Sequence, residues 1–511
     1  MPASQHETSV LLLTTLGSLM VAIDSTIIIL ALPTMGHELA APLETVIWAI
    51  LIYLLITTAL TTQAGQLGDL LGRGVVYNGG FAVFTIGSGL CGFAPNAQFL
   101  IAARAVQAVG GAVMFANGAA LLAHVFPPLR RGRAFGFLVL GWSVGAILGI
   151  PLGGVITTLL GWRYIFFINL PIGVIAVALG LRTLPRTERK HVQFDVPGFL
   201  SFSAALTLVS YGAIEIASYG VSELNLAYVV AGIGLLPLFV TFELFADRPM
   251  IDLRQLKNRL LGFSLIAGFL QALGYLSVVF LLTMYLQGLR GLSPLDASVL
   301  LVPGYLVGAF VGPYMGRRVD RVGPRILATG GIAAMGAAVL LYSTLTVGSW
   351  LGWIPIFSLL GGVGSGMFYP ANTTAIMSQA TSSNLGSVSG LRATMSNMGT
   401  LLSFVITLTI ASASVPRYVA YEVFLGTTNL VGGLGQDFLN GIRGALYGAA
   451  AILALAAALS WSRGRHEPVP VAIPAPSRAA VDPLPSDPAP ETNRVANDPL
   501  MVEGEGSGAG K

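Results

Sequence analysis

The sequence predicts an all-α membrane protein with fourteen spanning helices, and three observations carry that expectation. Apolar stretches follow one another from Val10 to Ser462, each close to the ~20 residues a helix needs to cross the hydrocarbon core. Apolar residues make up 54% of the chain and charged residues only 10%, with a mean hydropathy of +0.77. A soluble domain carries about 25% charged residues. The basic residues gather in alternate loops, the pattern of a polytopic protein with one cytoplasmic face.

The spans fall at 10–32, 45–64, 76–94, 98–122, 134–158, 164–184, 196–218, 226–245, 260–285, 295–315, 326–347, 351–378, 389–413 and 440–462. The first ends in Leu32-Pro33 with no small-residue cleavage site, so it reads as a retained helix rather than a signal peptide. An even number of spans places both termini on one side. The loops on that side hold Arg73, Arg130, Arg131, Arg133, Arg186, Arg189, Lys190, Arg248, Arg254, Lys257, Arg259, Arg317, Arg318, Arg321 and Arg325, and Arg463 and Arg465 follow the last span. The opposite loops hold Arg163, Arg290 and Arg417. Both termini are therefore expected in the cytoplasm, with the protein in the plasma (inner) membrane. The net charge of +4 matters less than this placement. Residues 466–511 are rich in Pro, Ala, Asp and Gly without helical or strand period, and read as a disordered cytoplasmic tail. The lone Cys91 excludes an intrachain disulfide.

The chain repeats itself. Gly65-Gln-Leu-Gly-Asp69-Leu-Leu-Gly72-Arg73 follows the second span, and Gly316-Arg-Arg-Val-Asp320-Arg-Val-Gly323-Pro-Arg325 follows the tenth. Both read as cytoplasmic loops with the same Gly–Asp–Gly spacing. They suggest two six-helix halves, residues 1–185 and 259–465, with two inserted helices and their flanking loops at 186–258. Internal repeats of this kind mark secondary transporters, which handle substrate between the repeats.

These residues resemble the major facilitator superfamily, and within it the fourteen-helix drug:proton antiporter family. The 65–73 segment is similar to the superfamily's G-x-L-x-D-x-x-G-R signature. Arg104-Ala-Val-Gln107-Ala-Val-Gly110-Gly111 resembles R-x-x-Q-G-x-G, with Ala108 where glycine is usual. Asp24-Ser-Thr26-Ile-Ile-Ile-Leu-Ala31-Leu-Pro33 resembles D-x-T-I-V-N-V-A-L-P, with Ile29 in place of the asparagine. Gly161-Trp162-Arg163-Tyr-Ile-Phe-Phe-Ile-Asn169-Leu-Pro171-Ile-Gly173 is the most specific match, to G-W-R-W-I-F-x-I-N-x-P-x-G. The antiporter motif G-x-x-x-G-P-x-x-G-G has a counterpart in Gly145, Gly149, Pro151, Gly153 and Gly154, with the proline one position late. The resemblance covers about residues 10–462. It implies a proton-coupled exporter of amphipathic or cationic organic compounds working by alternating access, with a small-molecule substrate, protons and the bilayer as its partners, and a monomer. Export of one endogenous metabolite or lipid is an alternative, and a non-transporting scaffold or sensor is a second, less favoured because a scaffold has no use for a hinge.

Ionisable side chains inside a bilayer are costly, so the few present are functional candidates. Asp24 lies deep in the first span, where a carboxyl can load and release a proton as water access changes. Arg104 enters the fourth span from the outside and can reach Asp24's depth, where it would compete with that proton. A permanent ion pair and a proton switch are both open readings of these two residues. Gln107 brings an amide one turn from Arg104. Glu215 and Glu243 sit in the inserted pair, and Glu215 is a candidate proton or substrate site. His124, at the inner end of the fourth span, reads as an interfacial anchor. Gly65, Asp69, Gly72 and Arg73 form the expected cytoplasmic gate. Gln107, Glu215, Phe368, Tyr369 and Asn372 are candidates for the substrate cavity. Gly141-Trp-Ser143-Val-Gly145 matches G-x-S-x-G but falls within a spanning helix rather than a strand-to-helix elbow. There is no phosphate-binding G-x-x-x-x-G-K-[ST] loop and no H-E-x-x-H pattern. An enzyme, a cofactor, a metal or a nucleic-acid partner is therefore not expected.

Overall fold

The computed structural model describes residues 5–126, 128–185, 195–246, 249, 253–379, 385–412 and 434–464. They are helical almost throughout, with no strand among the described residues. In hydrocarbon a helix satisfies its own backbone, which leaves apolar runs of this length no open-sheet alternative. The first span is α1 (Gln5–Ile27), a 3₁₀ turn (Ile29–Ala31) and α2 (Leu32–Glu38). A short α3 (Leu43–Val46) leads to α4 (Trp48–Leu71), α5 (Arg73–Gly92), α6 (Ala97–Val125) and α7 (Pro128–Leu159). The sixth span is α8 (Tyr164–Phe167) with α9 (Asn169–Thr183). The inserted pair is α10 (Val196–Tyr219) and α11 (Glu223–Phe245). The ninth span is α12 (Arg259–Tyr275), α13 (Val278–Thr283) and a π-helical turn (Met284–Leu289). The last five are α14 (Pro294–Val322), α15 (Pro324–Tyr342), α16 (Trp353–Met377), α17 (Leu385–Ser412) and α18 (Leu434–Ser462). Thirteen of these stretches are long and apolar enough to cross a membrane, and α4 carries a shorter apolar run, Trp48–Thr61. Each expected span overlaps one of these helices, although the eleventh, 326–347, runs past the end of α15 at Tyr342.

Polar caps set several starts. Asn96, Ser222, Asn258 and Ser293 each accept from the backbone N–H three residues on, which satisfies a donor the helix leaves open. Two expectations about ends are corrected. The first span does not stop at Leu32-Pro33. Pro33 falls in the first turn of α2, where a missing N–H costs nothing, and the helix runs on to Glu38. The segments at 65–73 and 316–325 are not loops either. α4 continues through Gly65 and Gly68 to Leu71, and α14 continues to Val322. Each break is a single glycine at positive φ, Gly72 (φ 100°) and Gly323 (φ 88°), and the next helix begins at once. A side chain is strained in that region, which explains the glycine at matching places in both repeats.

Packing rests on small residues, since lipid supplies no hydrophobic drive between helices. Gly141, Gly145, Gly149 and Gly153 form one i+4 row of α7, and each lies on the α1 backbone, at Thr15, Leu19, Ile23 and Ile27. Gly154 faces the other way, where an added Cβ would lie 2.6 Å from Pro294 O and 2.5 Å from Ser298 Oγ of α14. Pro151 lies inside the same helix. α16 is clamped between α14 and α15 by Gly304 with Gly362 and by Gly331 with Gly364.

The inserted pair packs on itself through Gly212 against Tyr228 and Gly232 against Val209. α10 also meets α4 through the Trp48 and Tyr211 rings, 6.3 Å apart, and α17 through Thr409 Oγ1 donating to Ala213 O at 3.2 Å. α11 is the least buried of these candidate spans: only 17% of its apolar window is buried in protein. Where α1 ends, the first six spans meet the last six. Gln287 Nε2 donates to Leu30 O at 3.1 Å, and the Leu295 N–H donates to Thr158 Oγ1 at 3.2 Å. The expected tail at 466–511 lies outside the described residues.

Candidate functional site

Asp24 sits in the last turn of α1, just before the 3₁₀ interruption, and is fully buried. Arg104 and Gln107 lie three residues apart on α6, so both point to one side of it. They close on the carboxylate. Arg104 Nη1 donates to Asp24 Oδ2 at 2.7 Å and Gln107 Nε2 to Asp24 Oδ1 at 2.8 Å. Asn169, the first residue of α9, adds a longer bond from Nδ2 to Oδ1 at 3.4 Å. Arg104 is held from other directions too. Its Nε donates to Ala49 O at 2.9 Å, its Nη1 to Gln107 Oε1 at 2.8 Å, and its guanidinium lies 4.4 Å from the Tyr53 ring centre. Behind them, Cys91 Sγ reaches Gln107 Oε1 at 3.6 Å, and Asn169 Nδ2 donates to Ser88 Oγ at 3.1 Å. α5 comes this close to α6 because of Gly87, where a Cβ would lie 2.5 Å from Gln107 N.

Every described hydrogen-bond partner of the Asp24 carboxylate is a donor, and one of them is a permanent cation. This arrangement fits the ionised carboxylate, and a proton arriving on Asp24 weakens its hold on these donors by removing its charge. Gln107 therefore belongs to the charge network, with both amide atoms engaged and no exposure. Cys91, Ser88, Tyr53 and Asn169 are members that sequence reasoning gave no role. Asn169 alone carried a signal, its place in the G-W-R stretch. That stretch also ties the far end together: Trp162 Nε1 and Arg163 Nη1 both donate to Glu38 Oε2, at 2.9 and 2.8 Å.

A second polar site lies among α12, α16 and α17. Phe368, Tyr369 and Asn372 line one pocket with Leu265, Gln271, Thr373, Ile376, Arg392 and Ser396. Three of the expected cavity residues are thus together. Asn372, however, is committed to structure: Nδ2 donates to Ser264 O at 3.1 Å, and Oδ1 accepts from Arg463 Nη1 at 3.1 Å. Arg463 is not an ordinary loop charge. It turns back into the bundle with 1% exposure, its Nε on Ser460 O at 2.8 Å and its Nη2 on Ser460 Oγ.

Glu215 belongs to neither site; it is half-buried on α10, beside Tyr211 one turn earlier. Glu243 is buried on α11 over the start of α10, where a Cβ on Gly198 would lie 2.9 Å from its Oε1. His124 is exposed in the last turn of α6. Between the expected gate residues Gly65 and Asp69, Gly68 packs on Asn117, whose Nδ2 donates to Ala64 O at 2.9 Å and so pins α6 to the inner end of α4. Arg73 opens α5 directly after Gly72, and the Asp69 side chain lies outside the described residues. No metal-ligand cluster occurs among the described residues.

A long helical bundle with a buried charge network is the architecture of a polytopic transporter, and comparison with known proteins agrees. Residues 14–404 match the Major Facilitator Superfamily, and the chain belongs to that family. It is 31% identical over 391 residues to the riboflavin transporter RibZ of Clostridioides difficile, covering 76% of this chain and 85% of the relative. It is 31% identical over 396 residues to the tetracenomycin C resistance and export protein of Streptomyces glaucescens (76% and 73% covered). It is 27% identical over 492 residues to the multidrug resistance protein Stp of Mycobacterium tuberculosis (88% and 91% covered). Among solved structures, a bacterial homologue of the human lysosomal transporter Spinster, inward-facing and occupied, shares the fold with a TM-score of 0.60 at 16% identity, covering 91% of this chain and all of that one. The protein is a multi-pass membrane transporter of this superfamily.

Proposed function

We propose that the protein is a proton-coupled exporter of the drug:proton antiporter kind, moving amphipathic organic compounds across the plasma membrane by alternating access. The observation that carries this reading is the Asp24 carboxylate, fully buried and faced by Arg104, Gln107 and Asn169 as donors. Protonating it removes the charge that Arg104 pairs with, while Ala49 O and Tyr53 hold the guanidinium in place. The network then has two arrangements of different charge, which is what a proton needs in order to bias a conformational equilibrium. α1 carries Asp24 and also forms the surface on which the Gly145, Gly149 and Gly153 row rests, so a change at Asp24 acts on the α1–α7 contact. Gly154 continues that contact to α14. Gly65, Asp69, Gly72 and Arg73 act as the cytoplasmic hinge, pivoting at Gly72. Both termini lie in the cytoplasm on this reading, and the contacts of Gln287 with Leu30 and of Leu295 with Thr158 then close the external side. Export of one metabolite is the second reading, favoured by the relative named a riboflavin transporter.

The test is Asp24→Asn in proteoliposomes, with an imposed proton gradient and a panel of fluorescent amphipaths. Gradient-driven transport should fall at least about tenfold, the scale of ~1.4 kcal/mol lost from coupling. Substrate-for-substrate exchange without a gradient should persist. Normal gradient-driven transport by the variant would end the role of Asp24 as proton carrier.

A further inference from the structure

Three arginines meet where α12 begins, α15 begins and α18 ends. Arg259 is the first residue of α12, and its Nη2 donates at 3.1 Å to the carbonyl of Ser462, the last residue of α18. Arg325 is the second residue of α15, and its guanidinium lies 4.1 Å from the Trp461 ring centre. Arg463 follows α18 directly and is buried, and Arg325 lies close enough to repel it. The end of α18 favours cations, because its last carbonyls carry about half a negative charge, but the starts of α12 and α15 each add about half a positive one. Three guanidiniums and two helix starts thus face a single helix end, and the region is strongly positive.

No carboxylate offsets this charge. Among the described residues none of the three arginines forms an ion pair. The acceptors that hold Arg463, which are Ser460 O, Ser460 Oγ, Ser264 Oγ and Asn372 Oδ1, are all uncharged. Trp461 covers one face of the Arg325 guanidinium, and Nε is enclosed without a partner, which leaves the Nη edge to bind outward. Beside the charges the surface is apolar. Ile326, Ala333 and Leu340 form an exposed stripe of α15 at seven-residue steps, two turns each, and Trp461, Ala454 and Tyr447 form one of α18. Thr329 and Ser460 bond at 2.8 Å and close the seam between these two helices, one turn in from Arg325.

We propose that the ends of α12, α15 and α18 form a binding site for one anionic phospholipid, with its phosphodiester on Arg259 and Arg325 and its acyl chains along the exposed stripes of α15 and α18. Guanidinium and phosphate match as paired donors and acceptors. Basic pockets between spanning helices take up anionic headgroups in this way. Arg463, enclosed behind the other two, adds charge without touching the lipid. A free phosphate has the charge but makes no use of the apolar stripes, which favours the lipid. The inference goes beyond the exporter reading and does not rest on it.

The experiment is native mass spectrometry of the full-length protein in a non-ionic detergent, titrated with dioctanoyl phosphatidylglycerol or dioctanoyl phosphatidylcholine. The first phosphatidylglycerol should bind about tenfold or more tighter than the first phosphatidylcholine, as expected for one charge-assisted contact. Arg259→Gln with Arg325→Gln should abolish that preference while leaving phosphatidylcholine binding within about twofold. Arg317→Gln with Arg318→Gln, which removes the same charge from exposed positions on α14, should leave the preference intact. Equal first-site binding of the two lipids by the wild-type protein overturns the proposal even if no variant folds. A preference that survives the first pair of substitutions overturns it, and so does one that falls as far with the second pair, which would make it a diffuse effect of charge. Displacement of phosphatidylglycerol by an equal concentration of inorganic phosphate would make the occupant a free anion and overturn the lipid site.

Discussion

Arg104 and Asp24 are unequal partners, because only one of them can shed its charge. Removing one side of a buried ion pair costs about 3–5 kcal/mol when the other charge stays behind. Asp24→Asn leaves a guanidinium that cannot neutralise itself, whereas Arg104→Gln leaves a carboxyl that can bind a proton. The Asp24→Asn protein should therefore melt lower in nanodiscs than Arg104→Gln, and the double substitution should recover part of the loss. Equal melting points for all three would mean that the pair is already screened by water. Asp24, Arg104 and Gln107 were legible in the sequence, since an ionisable residue in an apolar run stands out. Tyr53, Ser88 and Cys91 were not, and Asn169 was marked only by its place in the G-W-R stretch. Uncharged polar and aromatic residues are frequent in such helices, and only the crossing of α1, α4, α5, α6 and α9 brings these four to Asp24 and Arg104. The buried role of Arg463 was not legible for the converse reason: one residue past an apolar run, its sequence position is the same whether it faces headgroups or Asn372.

Helices in this bundle are placed by where they lack side chains. The α7 row lies on the carbonyls of α1, so even one methyl group has no room there. A Cβ on Gly145 would meet Leu19 O and lie 2.8 Å from Ala22 Cβ. Gly79, on α5, has nothing within 4 Å. The intrinsic preference of a helix for alanine over glycine, about 1 kcal/mol, is the same at both positions. Overpacking costs typically 1–3 kcal/mol and reverses the sign at Gly145 alone. Gly79→Ala should leave the melting temperature unchanged or slightly raised, with normal transport, while Gly145→Ala should lower both. A neutral Gly145→Ala would show that α1 and α7 separate without cost. The existence and order of the spans followed from apolar length, but their ends did not. Residues 65–71 and 316–322 are polar enough to read as loops, yet they continue α4 and α14 as helix. The lone glycines at positive φ that end these helices have no distinctive sequence signal beyond recurring.

Across the whole molecule, the recurrence goes beyond the Gly–Asp–Gly spacing. α4 and α14 end at Gly72 and Gly323 with nearly the same backbone turn, and the spans before them, the first and the ninth, are each interrupted before their far end. Those far ends meet, through Gln287 on Leu30 O, beside the contact of Leu295 with Thr158. In an alternating-access cycle this junction must part, because it ties the first six spans to the last six at one end. Thr158→Cys with Leu295→Cys, in a Cys91→Ser background, should therefore be joined by a short bis-maleimide in the resting protein. Serine keeps a donor toward Gln107 Oε1, so the background should transport normally. Joining should abolish transport, since an alternating-access cycle has to open this junction to expose the site on that side. Each single-cysteine protein treated alike should keep its activity, which excludes a simple effect of labelling. If the joined protein still transports at the normal rate, the junction is not a gate, and the two sets of spans must exchange access by another movement.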